Sequence, residues 1–128
     1  MTRSFFFAAA AFLVAAILFA GGPLLRNGFL NYDDPAVVVA NPRLEDPSPG
    51  DVVGAFTELR ADAWLPLYIV ALMPDALAGG KDPRAFHIGS LVWHAIASLL
   101  VLGCAFAIAR RRVVAARPFV DGARADLA

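Results

Sequence analysis

The sequence predicts an all-α membrane protein, with two transmembrane helices and an extracytoplasmic loop that contains short interfacial helices. Three observations predict it. Ser4 to Leu25 runs 22 residues without a charge, and Ala85 to Ala109 runs 25. About 20 apolar residues carry a helix across the hydrocarbon core; a helix is required because lipid offers no partner to an unpaired amide. Only 17% of the 128 residues are charged, where a soluble domain carries about a quarter. The charges are also sorted: the tails hold Arg3, Arg110, Arg111, Arg112, Arg117 and Arg124 against Asp121 and Asp126, whereas the loop holds five basic and nine acidic residues. An Arg triplet abutting the second apolar segment marks a cytoplasmic flank. Both termini are therefore expected in the cytoplasm, with the chain integral to an inner (plasma) membrane.

Residues 1–4 form the cytoplasmic N-terminus and 5–25 the first membrane helix. A cleaved signal peptide is the alternative for this segment. Its apolar run exceeds an ordinary signal core, and a cut after Ala20 would place Leu18 where a small residue is wanted. The segment reads as an uncleaved anchor. Gly21, Gly22 and Pro23 close the helix or kink its last turn.

Residues 26–84 form the loop. Asn31 to Pro49 is rich in Pro, Asp and Asn and reads as ordered turns. Ser48 then caps a helix with Pro49 in its first turn and Asp51 near its positive end. Val52, Val53, Phe56 and Leu59 follow at helical spacing, predicting an interfacial helix near 51–60. A second, near 63–78, comes from the apolar run Ala63 to Met73, which is too short to span. Trp64 and Tyr68 stand at its start, Pro66 and Pro74 interrupt it, and Asp62 and Asp75 bound it. The second membrane helix covers 85–109 and the cytoplasmic tail 110–128. Small residues four apart, Ala11 with Ala15, Ala16 with Ala20 and Gly103 with Ala107, permit close helix approach in lipid.

The motifs for several chemistries are missing. There is no phosphate-cradling glycine loop, no dinucleotide fingerprint, no Cys pair for zinc and no serine-nucleophile elbow. Cys104 is the lone cysteine, and no basic face with aromatic platforms suggests nucleic acid. His87 and His94 share a helix face about 10 Å apart along the axis, too far for one zinc ion. No metal site is expected. His94 reads as a packing or hydrogen-bonding residue, while His87, near the outer interface, can reach the loop. The run Asn31-Tyr32-Asp33-Asp34-Pro35 has two readings. Asp and Asn before Pro are common turn punctuation. Repulsion between adjacent carboxylates and partial desolvation beside a bilayer also favour the proton-accepting character of a general base.

The stretch Phe29-Leu30-Asn31-Tyr32-Asp33-Asp34-Pro35 followed by Asn41-Pro42 resembles the start of the first outer loop in GT-C glycosyltransferases. The likeness is nearest to bacterial membrane proteins with C-terminal tetratricopeptide repeats, related to the transmembrane O-mannosyltransferases. Gly54-Ala55-Phe56-Thr57, Trp64-Leu65-Pro66-Leu67 and His87 through His94 are similar to further motifs, in the same order. Leu65 stands where the family has a basic or His residue, Ser90 and Ser98 where it has Asn, and Val37 to Val39 where it has Tyr. The resemblance implies sugar transfer from a polyprenyl-phosphate donor to an extracytoplasmic acceptor. It implies Asp33 as catalytic base, Asp34 orienting the acceptor or a divalent cation, and Trp64 and His87 as substrate-binding residues. Partners would be the lipid bilayer, the polyprenyl-phosphate-linked sugar and other membrane helices. It implies a longer enzyme, of which this chain is the N-terminal piece, inactive alone, with the tail from Val113 to Ala128 leading toward a third helix. The alternatives are a small non-enzymatic two-span protein acting as a partner or remnant, and a helical hairpin that binds lipid through its surface segments.

Overall fold

The computed structural model describes residues 2–60 and 62–125, with side chains of the last helix described through Arg111. The tail residues Arg112, Val113, Arg117, Asp121 and Arg124 to Ala128, expected in the cytoplasm, lie outside the described side chains. The architecture is all-helical. Helix α1 spans Arg3–Gly21 and continues as a 3-10 turn over Gly22–Arg26. Helix α2 spans Pro49–Ala55, α3 Pro66–Gly79 and α4 Pro83–Ala125. Among the described residues the one extended pairing is the isolated bridge between Arg60 and Ala63.

Two stretches are long and apolar enough to cross a membrane: Arg3–Arg26, 24 residues, and Pro83–Arg111, 29 residues. At 1.5 Å per residue they reach about 36 and 43 Å, against a hydrocarbon core of about 30 Å. Their apolar side chains are largely uncovered by protein: Phe7, Phe12, Phe19, Leu100 and Val101 all stand more than half exposed. Pro23 ends the α-helix as expected, by converting its last turn to 3-10 geometry.

The chain divides into two compact units. In the first, residues 1–17 with 94–128, Phe6 packs on Phe106 with ring centroids 5.1 Å apart, and the Arg110 guanidinium lies 5.9 Å from the Phe106 centroid. Arg3, Phe6, Phe106 and Arg110 line one cleft, so the start of α1 lies beside residue 110 of α4. The four-apart alanines Ala11, Ala15, Ala16 and Ala20 are exposed, so small size there brings no close protein neighbour.

The second unit, residues 18–93, contains the loop and has a core of its own. Val37, Val38, Leu44, Ala55, Ile69, Leu72, Met73, Ala76 and Phe86 are buried together, with Phe29, Val70 and Ala85 packed against them. Burying each large aliphatic side chain contributes about 1.5–3 kcal/mol. Residues 31–49, expected as ordered turns, contribute to this core. Pro35–Val39 forms a π-helical turn and Pro42–Leu44 a 3-10 turn, because Val37, Val38 and Leu44 fold inward onto α3. Asn41, fully buried, joins the two turns: its Nδ2 donates to the Val37 carbonyl at 2.9 Å and its Oδ1 accepts the Arg43 N–H at 3.1 Å.

The α2 start follows expectation, with a reciprocal capping box between Ser48 and Asp51. Its end does not. The helix stops at Ala55 rather than near 60, because Phe56 and Thr57 bond three residues back and the Thr57 hydroxyl also donates to the Gly54 carbonyl. Gly54 leaves room for Arg43, whose guanidinium bridges Asp51 at 3.1 Å and Glu58. Pro74 does not interrupt α3, which runs through it to Gly79 and carries Asp75 within it, as the expected helix near 63–78 does. Gly80, at φ 60°, then turns the chain into α4, a conformation that favours glycine.

Candidate functional site

The acidic pair opens the folded part of the loop. Asp33 offers its carbonyl to the amides of Ala36 and Val37 at 3.1 and 2.9 Å, and Asp34 is the residue before the π-helical turn. Pro35 suits this first helical position, since its missing N–H would have no partner there. The two carboxylates differ in setting. Asp34 is half-buried, and its Oδ2 accepts the Leu30 N–H at 2.7 Å. Asp33 is exposed, and among the described residues nothing donates to its carboxylate. Asp34 is thus held by the backbone, and Asp33 is open to a ligand.

Tyr68, on the first turns of α3, lies close enough to the pair to feel both charges. Burial pushes its phenol above its ordinary value, and the charges of Asp34 and then Asp33 push it the same way. Sequence reasoning placed Tyr68 only as an interfacial aromatic. Its relation to the pair depends on α3 folding back against the π-helical turn, which residue spacing alone does not encode.

Trp64 and His87 are placed apart in role. The Trp64 indole donates to the Phe56 carbonyl at 3.0 Å, closing the segment between α2 and α3, while its ring stays 61% exposed. His87 lies on the second turn of α4 with its Nε2 buried and unpartnered among the described residues. No hydrogen bond connects Asp33, Asp34, Trp64 and His87 to one another in that set. His94 is exposed beside an apolar cleft with Leu13, Ser98 and Val101, and makes no hydrogen bond there. This differs from the expectation of a packed or bonded His94: Leu13 of α1 borders the same cleft, but the His94 side chain stays exposed.

What holds the pair's surroundings in place is Lys81. Its ammonium donates to the Val38 carbonyl at 2.6 Å and the Asn41 carbonyl at 3.0 Å, capping the π-helical turn from the link between α3 and α4. Among the described residues, no group of three or more His, Cys, Asp and Glu side chains is gathered around a point that could hold a metal ion.

No protein-family model, curated protein or solved structure matches this chain.

Proposed function

We propose that this chain supplies the acid-bearing outer loop of a membrane glycosyltransferase that uses a polyprenyl-phosphate-linked sugar. The single observation that carries the reading is the asymmetry within the pair: Asp34 is anchored to Leu30, while the Asp33 carboxylate is exposed and has no donor among the described residues. An inverting transfer needs one carboxylate free to take the acceptor's proton while a held neighbour orients the acceptor. Asp33 takes the first role and Asp34 the second. Tyr68, on α3, adds a phenol within electrostatic reach of the pair. Trp64 presents an exposed ring suited to stacking on a sugar. The resemblance at Phe29 to Pro35 and Asn41-Pro42 points to the same chemistry, and the donor phosphate would be held by other membrane helices.

In this reading both apolar helices cross a bacterial inner membrane, with residues 26–84 outside and both termini in the cytoplasm. Arg3 and Arg110 lining one cleft support both ends lying on one side, and positive charge favours the cytoplasmic side.

The test is transfer of labelled sugar from a polyprenyl-phosphate donor, in membranes holding the full chain and its co-expressed membrane partners. Asp33→Asn should abolish transfer with the chain still inserted. Unchanged transfer in that variant would favour the alternative, a two-span structural partner, whose support is the uncovered apolar flank of both long helices. Topology reporters fused after Asp46 and after Arg111 should report outside and inside, respectively.

A further inference from the structure

A second feature of the loop unit is unrelated to the acidic pair. Asp75 projects from α3 against Gly89 of α4, where a Cβ would overlap its carboxyl group. Gly89 lies six residues into α4, about 9 Å along the axis from Pro83. Here the two helices enclose a cleft of about 430 Å³ whose walls include Ile88, Val92 and Trp93, with Arg84 at its rim. Asp82 also borders it, but its Oδ1 is committed to the Arg84 N–H at 3.0 Å, capping the start of α4.

Asp75 has no such commitment. Among the described residues nothing donates to its carboxylate, and no ion pair joins it to Arg84 on the same cleft. A partly desolvated carboxylate without donors is costly, so the site is the complement of a ligand that brings both an N–H donor and an anion. The apolar wall adds a third requirement, a hydrocarbon chain. An anionic lipid would set its charge against Asp75, and a quaternary ammonium has no hydrogen to donate.

We propose that the cleft binds a phospholipid with a primary ammonium headgroup, its ammonium on Asp75, its phosphate at Arg84 and an acyl chain along Ile88, Val92 and Trp93. The proposal rests on the membrane placement above but not on sugar transfer. Trp93 is a built-in reporter, because Trp64 is the only other tryptophan.

The experiment uses the full chain carrying Trp64→Phe in phosphatidylcholine vesicles, doped with brominated phosphatidylethanolamine, phosphatidylcholine or phosphatidylglycerol. Brominated phosphatidylethanolamine should quench Trp93 at about tenfold lower mole fraction than brominated phosphatidylcholine, the effect of one charge-assisted hydrogen bond. Asp75→Asn and Gly89→Leu, with unchanged helical circular dichroism, should bring the two lipids level, and Arg84→Gln should narrow the gap. Equal quenching in the parent chain, preference for phosphatidylglycerol, or a preference that survives Asp75→Asn would each overturn the proposal. Absence of quenching by every lipid, with the chain resistant to carbonate extraction, would mean that protein covers the cleft and would overturn it too. Absence of quenching with the chain released by carbonate would overturn the membrane placement itself.

Discussion

Lys81 donates to the carbonyl of Val38 at 2.6 Å across 43 residues of sequence. The same ammonium reaches the Asn41 carbonyl, so one cation caps the end of a π-helical turn whose side chains form part of the buried core. Burial lowers the Lys81 pKa from its ordinary value, with Glu45 opposing that shift. Lys81 is the staple between the start of the loop and its end.

Replacing it with Met should therefore leave the Val38 and Asn41 carbonyls with only their turn amides, from Asn41 and Leu44, as donors and loosen residues 35–44. Hydrogen bonds from charged groups contribute about 1.5–3 kcal/mol each. Hydrogen exchange of the Val37 to Leu44 amides should accelerate more than tenfold in Lys81→Met, while amides in the middle of α4 stay protected. Equal exchange in both proteins would show that the core alone holds the turn.

The capping box predicts an acid-sensitive α2. Hydrogen bonds from the Ser48 side chain and backbone, with Arg43 beside it, hold the Asp51 carboxyl below its ordinary value. A carboxyl lowered in the folded state contributes stability that is present above its unfolded value, near 3.8, and is lost as pH falls through the lower folded value. Exchange of the Val52 and Val53 amides should rise below about pH 4, and Asp51→Asn should show that faster exchange already at neutral pH.

Asp75 carries the opposite sign. Burial raises its carboxyl above the ordinary value, so its stabilising form is the protonated one, present at low pH and lost as pH rises through the folded value. In lipid-free detergent at neutral pH, Asp75→Asn should raise the melting temperature of the loop unit. The gain should shrink as the pH is lowered toward 4. A fall in melting temperature at neutral pH would mean that the ionised carboxylate has a partner.

Tyr68 tests whether the acidic pair and α3 share one site. In a Tyr32→Phe background, ultraviolet titration follows Tyr68 alone, since the chain has two tyrosines. Its phenol should ionise above its ordinary value of 10.0, and Asp34→Asn should move the midpoint partway back. No movement would place the pair too far away to act with Tyr68.

The sequence by itself determined the features that depend on local composition and near neighbours. Uncharged runs of membrane length specified both long helices, Pro23 the end of the first, and Ser48, Pro49 and Asp51 the start of α2. Each follows from hydropathy or from a bond spanning a few residues. The tertiary structure decided what requires distant segments to meet: the burial of Val37 and Val38, the Lys81 staple, Tyr68 within electrostatic reach of the acidic pair, and Asp75 against Gly89. Asp33 and Asp34, adjacent and chemically alike in sequence, are set apart by a local bond, since among the described residues Asp34 alone accepts a backbone amide, that of Leu30 four residues back. Side-chain chemistry and near-neighbour bonds are local properties, whereas which distant segments cover them depends on where the rest of the chain packs.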